Sequence, residues 1–320
     1  MMLEVKDLSA SYVLPGGEIR AVDDVSFSVD EGEILGIAGE SGCGKSTLAF
    51  SISFLFPPPL RHMGGSVLFN GKDLKNFNDR ELRKEILGTK ISYVPQSSMN
   101  SLNPTRRVKD IAFDIFRAHM DISEKEMYER AKERLDLLSL PESVLNMYSV
   151  ELSGGMKQRV VIALSTLMGP ELLIADEPTS ALDVSSQRVV LKELKKLFED
   201  GVFKSMIIIS HELTILKHLA HRIAIMYAGE LVEVGETERI FKEPLHPYTK
   251  ALIGSVLEPG KRVEREKIPS LPGAPPDLRE KITWCRFYDR CPFADEKCKR
   301  KQELVERDGR LVRCEHGKDI

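Results

Sequence analysis

The stretch that most constrains this 320-residue chain is Gly39–Thr47, which reads GESGCGKST. It fits the phosphate-loop pattern G-x-x-x-x-G-K-[ST] at every fixed position. An apolar run, Ile34–Ala38, precedes it and is predicted as a buried strand, and a helix is predicted from about Lys45. The alternative interpretation is a simple glycine-rich turn. The match together with its strand and helix context favours a strand–loop–helix unit of an α/β protein.

The same stretch supplies the groups that a bound phosphate needs. Glycines let the backbone wrap closely, because a Cβ would block the approach. The loop N–H groups and the helix N-terminus present partial positive charge to an anion. We expect Lys45 to reach the β- and γ-phosphates and the Ser46 hydroxyl to bind Mg²⁺. The candidate nucleotide-binding residues of the loop are Gly39, Ser41, Gly42, Cys43, Gly44, Lys45, Ser46 and Thr47.

Two segments on either side of Gly16-Gly17 alternate apolar and polar residues, as half-buried strands do. They are Leu3–Tyr12 and Val22–Val29, and they predict an antiparallel β flap before the loop. Tyr12 has two interpretations. It is either an ordinary strand residue or a ring that stacks on adenine.

Helical periodicity without a convincing strand extends from about Ser98 to Gly169. The strand Ile91–Pro95 and Gln96 come just before this region. A helical insertion is therefore predicted to separate two halves of an α/β core.

Acidic residues follow the next apolar strand, Leu172–Ala175. Carboxylates at the C-terminal end of a parallel strand face the crevice in which ligands bind. Asp176 is a candidate Mg²⁺ ligand. Glu177 is a candidate for orienting or deprotonating the water that attacks the γ-phosphate. The alternative is a pair of solvated acids, which the complete phosphate loop disfavours.

A helix is predicted from about Val184 to Glu199, and His211 follows the predicted strand Met206–Ser210. A histidine in that place usually faces water. Because His211 is expected at the same sheet end as Lys45 and Asp176, contact of His211 with the γ-phosphate is the favoured interpretation.

Composition limits the classes of protein that fit. The residues are 42% hydrophobic and 30% charged, which suits a soluble protein, and the net charge of −3 argues against bulk nucleic-acid binding. No run approaches the ~18 apolar residues of a membrane span, and no export signal is visible at the N-terminus. We expect a cytoplasmic protein that reaches a membrane only by docking on another protein's helices.

In their order, these motifs resemble the ATPase subunit of an ABC transporter over residues 3 to 235. The matching elements are the adenine-stacking Tyr12, the Walker A loop Gly39–Thr47, the Q-loop glutamine Gln96, the signature motif Leu152–Met156, Walker B Leu172–Glu177, the D-loop Ser180–Asp183 and the switch histidine His211. Met156 stands where the signature usually has glutamine. The resemblance implies an α/β fold: a P-loop NTPase (RecA-like) core with an antiparallel β flap, a helical subdomain at about 97–170 and a C-terminal extension over 236–320.

The resemblance also implies roles for individual residues. Hydrolysis would depend on Glu177, His211, Gln96 and Lys45, and Mg²⁺ would be held by Ser46, Gln96 and Asp176. Two such domains meet head to tail. Ser153, Gly154 and Gly155 of one then contact ATP bound to the other, and Asp183 belongs to the D-loop. ATP joins the two domains, and hydrolysis releases them. The partner is a second ATPase subunit, either identical or different.

Two shorter motifs, Ser101–Pro104 and Pro244–Thr249, resemble the dipeptide and oligopeptide import ATPases, a branch that nickel importers share. This implies two membrane permease subunits, an indirect link to a solute-binding protein and a position on the cytoplasmic face of the membrane. The alternatives are nickel import, or a soluble ABC ATPase that acts on DNA or ribosomes. Soluble ABC ATPases of DNA repair carry a long coiled coil inside the ATPase core, and those of translation carry two ATPase cores in one chain. This sequence has a single core and no such heptad insertion.

Four of the five cysteines lie in the last 36 residues, at Cys285, Cys291, Cys298 and Cys314, after a proline-rich linker predicted over Pro259–Leu278. A reducing cytoplasm argues against disulfides. Zinc sites usually contain close cysteine pairs, which are missing, so a [4Fe–4S] cluster fits the wide spacing better. Zinc and unliganded thiols remain alternatives. The resembling transporters often carry such a tail, with an Arg-Cys-Pro step like Arg290-Cys291-Pro292.

Overall fold

Residue contacts divide the chain into two units. The computed structural model describes residues 1–96, 101–180, 182–255 and 273–317. Unit 1 consists of Met1–Lys75 and Ser210–Ile320, and unit 2 of Asn76–Ile209. The first part of the predicted linker, 259–272, lies outside the described residues. The boundary predicted at residue 235 and the helical subdomain predicted at about 97–170 remain predictions.

Unit 1 contains an antiparallel sheet in the strand order β2-β1-β4-β5. Its strands are β1 (Leu3–Leu14), β2 (Gly17–Val29), β4 (Leu60–Phe69) and β5 (Lys72–Asp73). Leu3, Val5, Leu8 and Ala10 of β1 are buried, so the alternation in the sequence reflects burial, with an irregularity between Val5 and Leu8. The Asn70-Gly71 turn joins β4 to β5, with both residues at positive φ as a two-residue hairpin requires.

A second group of strands in unit 1 has the order β11-β12-β10-β9-β3. Its members are β3 (Ile34–Ala38), β9 (Arg222–Tyr227), β10 (Glu230–Glu236), β11 (Val305–Arg307) and β12 (Arg310–Val312). Strands β3 and β9 are parallel, whereas β10 pairs with β12 in antiparallel register, Glu233 opposite Val312. The end of the chain therefore forms a hairpin that extends this sheet.

The helices of unit 1 are short and flank these strands. They are α1 (Lys45–Ile52), α7 (Leu213–Leu219), α8 (Thr237–Lys242) and α9 (Pro247–Gly254). Helix α1 starts at the lysine of the phosphate loop, as predicted. Proline is suited to the first turn of α9, because the N–H groups there have no partner within the helix.

Unit 2 contains three parallel strands in the order β8-β7-β6, namely β6 (Ile91–Val94), β7 (Leu172–Asp176) and β8 (Ser205–Ile209). Its helices are α2 (Asp79–Glu81), α3 (Val108–His119), α4 (Glu124–Leu137), α5 (Gly154–Thr166) and α6 (Val184–Glu199). Strands β7 and β8 are buried along their whole length, so they are apolar runs without alternation. Residues 101–169 contain helices and no strand, in agreement with the sequence pattern.

Within the described ranges, no helix combines the length and the apolar character needed to cross a membrane.

Candidate functional site

The phosphate loop has a conformation that only glycine permits at two of its positions. Gly39 lies at φ 158°, and a Cβ there would come within 2.1 Å of the Met226 carbonyl oxygen. Gly44 lies at φ 106°, and its Cβ would come within 2.0 Å of the Ala21 carbonyl oxygen. The loop backbone thus runs directly against neighbouring main chain. Substituting either glycine would push the loop out of place.

Lys45 is buried and lies across the start of the loop. Its Nζ donates hydrogen bonds to the carbonyl oxygens of Gly39 and Glu40, both at 2.9 Å. The charge is therefore held inside the curve of the loop. The neighbouring Cys43 thiol is buried as well, and this burial raises its pKa. Of the other loop residues, Ser41 and Gly42 are exposed, Ser46 is half-buried and Thr47 is buried.

Tyr12 is connected to the first turn of helix α1. Its hydroxyl lies 3.0 Å from Oγ1 of Thr47, and its ring is half-buried. This contact connects the Tyr12 ring, on strand β1, to Thr47 at the end of the phosphate loop. Both interpretations of Tyr12 remain compatible with this contact.

In unit 2, Asp176 ends strand β7 and is fully buried. The Tyr93 hydroxyl donates a hydrogen bond to its Oδ2 at 3.0 Å. Burial and the Asp176 carboxylate together raise the pKa of Tyr93, so this hydroxyl remains a donor at neutral pH. Tyr93 therefore fixes the orientation of the carboxylate. Sequence reasoning did not identify Tyr93.

Glu177 follows directly and has a backbone conformation that is uncommon for glutamate. Its φ is +46°, in the left-handed region, and its N–H donates to the carbonyl oxygen of Ile209 at 2.9 Å. The side chain of Gln96 donates to Glu177 Oε2 at 3.1 Å. Residues in this region of φ/ψ space cluster at active sites. The structure thus brings two of the predicted catalytic residues of unit 2 together.

The signature residues begin helix α5. Ser153 is its N-cap, and its Oγ accepts a hydrogen bond from the Met156 N–H. Ser153 is exposed and Gly154 and Gly155 are half-buried, so the helix N-terminus is accessible. A Cβ on Gly155 would lie in ordinary contact range of Ser186. Such an N-terminus attracts anions.

Asp183 and His211 occupy element ends. Asp183 caps α6 by accepting from the N–H groups of Ser185 and Ser186, and the Ser186 hydroxyl bond lowers its pKa. His211 is exposed and follows β8 by two residues. The cap gives Asp183 a structural role of its own beside the predicted D-loop role.

The four C-terminal cysteines meet in unit 1. We call residues 285–316 the cysteine module. Cys285, Cys291, Cys298 and Cys314 line one small, largely enclosed cavity together with His246 and Phe287. Burial is the main cause that raises the pKa of Cys285 to about 12 and that of Cys291 to about 11, with the other thiols adding to the effect. Thiolates are ligands for soft metal ions, and binding of such an ion would deprotonate the thiols that contact it.

Sequence spacing missed two further donors in this place. His316 Nε2 lies 3.7 Å from Cys298 Sγ and 3.5 Å from a carboxylate oxygen of Asp295. One ligand atom from each of these three residues can be chosen within 4.8 Å of the others. A Cys–His–Asp set suits zinc as well, so the structure leaves the zinc alternative open.

Buried arginines attach the cysteine module, including the terminal hairpin within it, to the rest of unit 1. Arg286 pairs with Asp23 and lies 3.3 Å from Glu230. Arg310 and Glu233 lie 3.6 Å apart, with at most 1% of either side chain exposed. Breaking such a pair from one side leaves a buried charge without compensation.

An apolar groove of about 460 Å³ lies within unit 2. Leu102, Ile111, Ile115 and Leu164 are among the residues that line it. Leu102 belongs to the Ser101–Pro104 motif, which the sequence associated with peptide import ATPases. Part of that motif therefore lines the groove.

Comparison with known proteins identifies the family that the sequence motifs resemble. The sequence model described as "ABC transporter" matches residues 22–180, and the one described as "Oligopeptide/dipeptide transporter, C-terminal region" matches residues 232–298. The dipeptide transport ATP-binding protein DppD of Caldanaerobacter subterraneus subsp. tengcongensis is 42% identical over 315 residues, 97% of this chain and 94% of that protein. The oligopeptide transport ATP-binding protein OppD of Escherichia coli is 40% identical, over 98% and 92% of the two chains.

Solved structures give the same answer for the fold. A dimeric structure of MJ0796, a bacterial ABC transporter cassette, superposes with a TM-score of 0.65 at 29% identity, over 74% of this chain and 99% of that one. A post-hydrolysis state of that cassette bound to ADP and Pi gives 0.64 at 30% identity, with the same coverage. The predicted α/β P-loop NTPase fold is confirmed. The chain belongs to the family of ATP-hydrolysing ABC transporter proteins that carry the oligopeptide/dipeptide transporter C-terminal region.

Proposed function

We propose that this protein is the ATP-hydrolysing subunit of a membrane importer for dipeptides or oligopeptides. The observation that carries the proposal is the Gln96–Glu177 hydrogen bond beside the buried Asp176, in a chain with a complete phosphate loop. The names of the relatives and the match of the C-terminal region support peptides as the substrate class. The match of this C-terminal region favours a peptide importer over a soluble ABC ATPase acting on DNA or ribosomes.

ATP is the substrate, and the phosphate loop is its proposed binding site. The loop N–H groups and Lys45 would bind the phosphates, and the Tyr12 ring would stack on adenine. Ser46, Gln96 and Asp176 would hold Mg²⁺, which when bound neutralises charge on the phosphate oxygens. The Tyr93 hydrogen bond supports this assignment, because it fixes one oxygen of the Asp176 carboxylate.

Glu177 is the proposed general base. Its carboxylate would accept a proton from the water that attacks the γ-phosphate, and Gln96 would hold that carboxylate in place through the 3.1 Å hydrogen bond. His211 would contact the γ-phosphate. Lys45 would stabilise the charge that develops on the transferred group.

A second ATPase subunit, of the same or a different kind, would complete the site. Ser153, Gly154 and Gly155 at the start of α5 would contact the γ-phosphate bound to that partner, with Asp183 nearby in the D-loop. The exposed Ser153 and the accessible helix N-terminus support this role. Dimeric cassettes among the similar structures support the pairing itself.

The apolar groove of unit 2 is the proposed docking site for a short helix of a permease subunit. Two permeases would place the protein at the cytoplasmic face of the membrane as a peripheral subunit, with a solute-binding protein acting indirectly. Gln96 and the groove lie in the same unit, so a change at the γ-phosphate could reach the permease through unit 2.

We propose that Cys285, Cys291, Cys298 and Cys314 hold a [4Fe–4S] cluster, with zinc as the alternative. The four sulfur donors around one cavity support a metal of either kind. Such a group would stabilise a module with few apolar residues. Anaerobically purified protein is expected to be brown, with about four iron atoms per chain. Colourless protein with stoichiometric zinc would contradict the cluster.

Transport measurements test the substrate class. The protein, its permeases and its solute-binding protein would be reconstituted in vesicles, and ATP-dependent uptake of labelled dipeptides, longer peptides and Ni²⁺ compared. Saturable uptake of a peptide, competed by other peptides and not by Ni²⁺, is expected. Uptake of Ni²⁺ alone would establish the nickel alternative. A complex with ribosomes in place of permeases would contradict the proposal.

A further inference from the structure

A buried arginine of the cysteine module reaches the phosphate loop. Arg290, the residue before Cys291, donates from its two terminal nitrogens to the two carboxylate oxygens of Glu40, at 2.8 and 2.9 Å. Glu40 is the second residue of the loop. Paired, parallel hydrogen bonds of this kind fix both distance and orientation. The two residues are 250 positions apart in the chain, and both belong to unit 1.

The backbone of Glu40 is held as well. Its N–H donates to the hydroxyl of Tyr248 at 2.9 Å, and its carbonyl oxygen accepts from Lys45 Nζ at 2.9 Å. Tyr248 belongs to helix α9 and is fully buried. The side chain of Glu40 is thus hydrogen-bonded to Arg290 and its backbone N–H to Tyr248, and both partners lie beyond position 235.

Aromatic rings hold Arg290 in place. Its guanidinium lies 5.6 Å from the ring centroid of Tyr227 and 5.9 Å from that of Phe287, and it donates to the Tyr227 hydroxyl at 3.2 Å. The rings of Phe287 and Tyr248 are 5.5 Å apart, so both supports of Glu40 share one aromatic cluster. Only 7% of Arg290 is exposed. A buried guanidinium without its carboxylate is costly, so this arrangement favours one loop conformation.

We propose that Arg290 is a positioning residue for ATP binding: through Glu40 it sets the conformation of the phosphate loop and couples the order of the cysteine module to the affinity for ATP. The inference rests on the proposed assignment of the loop as the ATP site. It concerns protein side chains and holds for whichever group the cysteines bind. Because coupling between two sites is reciprocal, ATP must also stabilise the cysteine module.

A purely structural role predicts a different result. If Arg290 only attached the module to unit 1, its loss would lower the unfolding temperature and leave the ATP affinity of the folded protein unchanged. Affinity per folded molecule therefore separates the two roles.

The test is MgATP binding by the full-length chain, measured by calorimetry. Arg290→Gln and Glu40→Gln are each expected to weaken binding about tenfold, within the usual range of such couplings. The double variant is expected to be no weaker than the weaker single variant, because both remove the same interaction. Arg290→Lys keeps the charge without the paired geometry and should recover part of the affinity. If Arg290→Gln does not fold, Glu40→Gln and Arg290→Lys carry the test.

Arg300→Gln is the matched control. Arg300 lies in the cysteine module and pairs with Glu315 at 3.0 Å, but its side chain is 66% exposed and does not contact Glu40. We expect wild-type affinity for this variant. Hydrogen exchange over residues 285–298 gives the reciprocal readout. MgATP should slow exchange there in the wild type, and this protection should disappear in Arg290→Gln.

Two outcomes overturn the inference and differ from each other. Wild-type affinity in Arg290→Gln and Glu40→Gln, with wild type and Arg300→Gln binding normally, would show that the bridge has no role in ATP binding while the proposed function stands. If the wild type itself does not bind MgATP, the proposed function fails and the inference fails with it.

Discussion

Gln96 donates a hydrogen bond from its side chain to Oε2 of Glu177 at 3.1 Å, although 81 positions separate them in the chain. Gln96 follows strand β6 and Glu177 follows strand β7, and these parallel strands are neighbours. The glutamine is exposed, while Glu177 has a positive φ and a backbone bond to Ile209. The carboxylate that we propose as the general base thus has a backbone hydrogen bond on its main chain and a solvent-exposed side-chain partner.

The hydrogen bond between Tyr12 and Thr47 allows the ring and the hydroxyl of Tyr12 to be tested separately. Tyr12→Phe keeps the ring and loses the 3.0 Å contact with Oγ1, so we expect MgATP affinity to fall only about threefold, near the cost of one neutral hydrogen bond. Tyr12→Ala also loses the ring and should bind at least about fivefold more weakly than Tyr12→Phe. Calorimetric titration with MgATP measures both. Equal affinity of the two variants would exclude stacking on adenine.

Ser153 combines a capping role with an exposed position. In Ser153→Arg a bulky cation replaces the hydroxyl at the start of α5, and we expect ATP-dependent pairing of subunits and ATP turnover to be lost. Ser153→Thr keeps the cap and should retain both. Ser153→Ala loses the cap, at a cost of about 1 kcal/mol in stability, without adding bulk. Sedimentation with and without MgATP, using the native partner subunit, reports the pairing. Normal pairing and turnover in Ser153→Arg would refute the shared site.

Glu193 predicts a pH dependence of stability. It is buried on α6, 3.6 Å from Arg159 on the signature helix α5, and burial raises its pKa from 4.5 to about 6. The native state therefore binds more protons than the unfolded state between these values. The stability that this group contributes is complete below pH 4.5 and is lost as the pH rises to 6. Relative to Glu193→Gln, the wild type should have its higher unfolding temperature at pH 5 and lose that advantage by pH 7.

Thermal unfolding of wild type and Glu193→Gln, followed by circular dichroism from pH 5 to 7.5, measures this difference. Lys195→Gln is a useful control, because Lys195 is an exposed residue of the same helix with a distant partner, Glu199, at 3.9 Å. Its difference from wild type should not change with pH. A constant offset for Glu193→Gln, or one that grows in favour of the wild type toward pH 7, would show that burial does not raise the pKa of this carboxylate in the native state.

Local features explain why much of the fold could be predicted. The phosphate loop requires glycine at positions 39 and 44, where neighbouring main chain leaves no room for a Cβ. The glycines of the sequence motif therefore predict this conformation directly. Helix α6 extends over Val184–Glu199 as predicted, and Ser123 caps α4 through the N–H of Glu126. These elements depend on residues a few positions apart.

Long-range contacts could not be read from the sequence. The bridge between Arg290 and Glu40, like the approach of His316 to Cys298, depends on how loops that are distant in the sequence pack together, and no spacing rule contains that information. The terminal hairpin is different, because Asp308-Gly309 with both residues at positive φ is a recognisable two-residue turn. That signal was present in the sequence and was missed.

The roles of the site residues depend most directly on Glu177. Glu177→Gln keeps the size of the side chain and removes the base, so ATP turnover by the protein assembled with its partner subunit and permeases should fall at least about a hundredfold, while MgATP affinity stays within about twofold of wild type. Turnover per bound ATP is the deciding measurement. A hundredfold loss with intact binding agrees with Glu177 as the general base, and unchanged turnover would contradict the proposed mechanism.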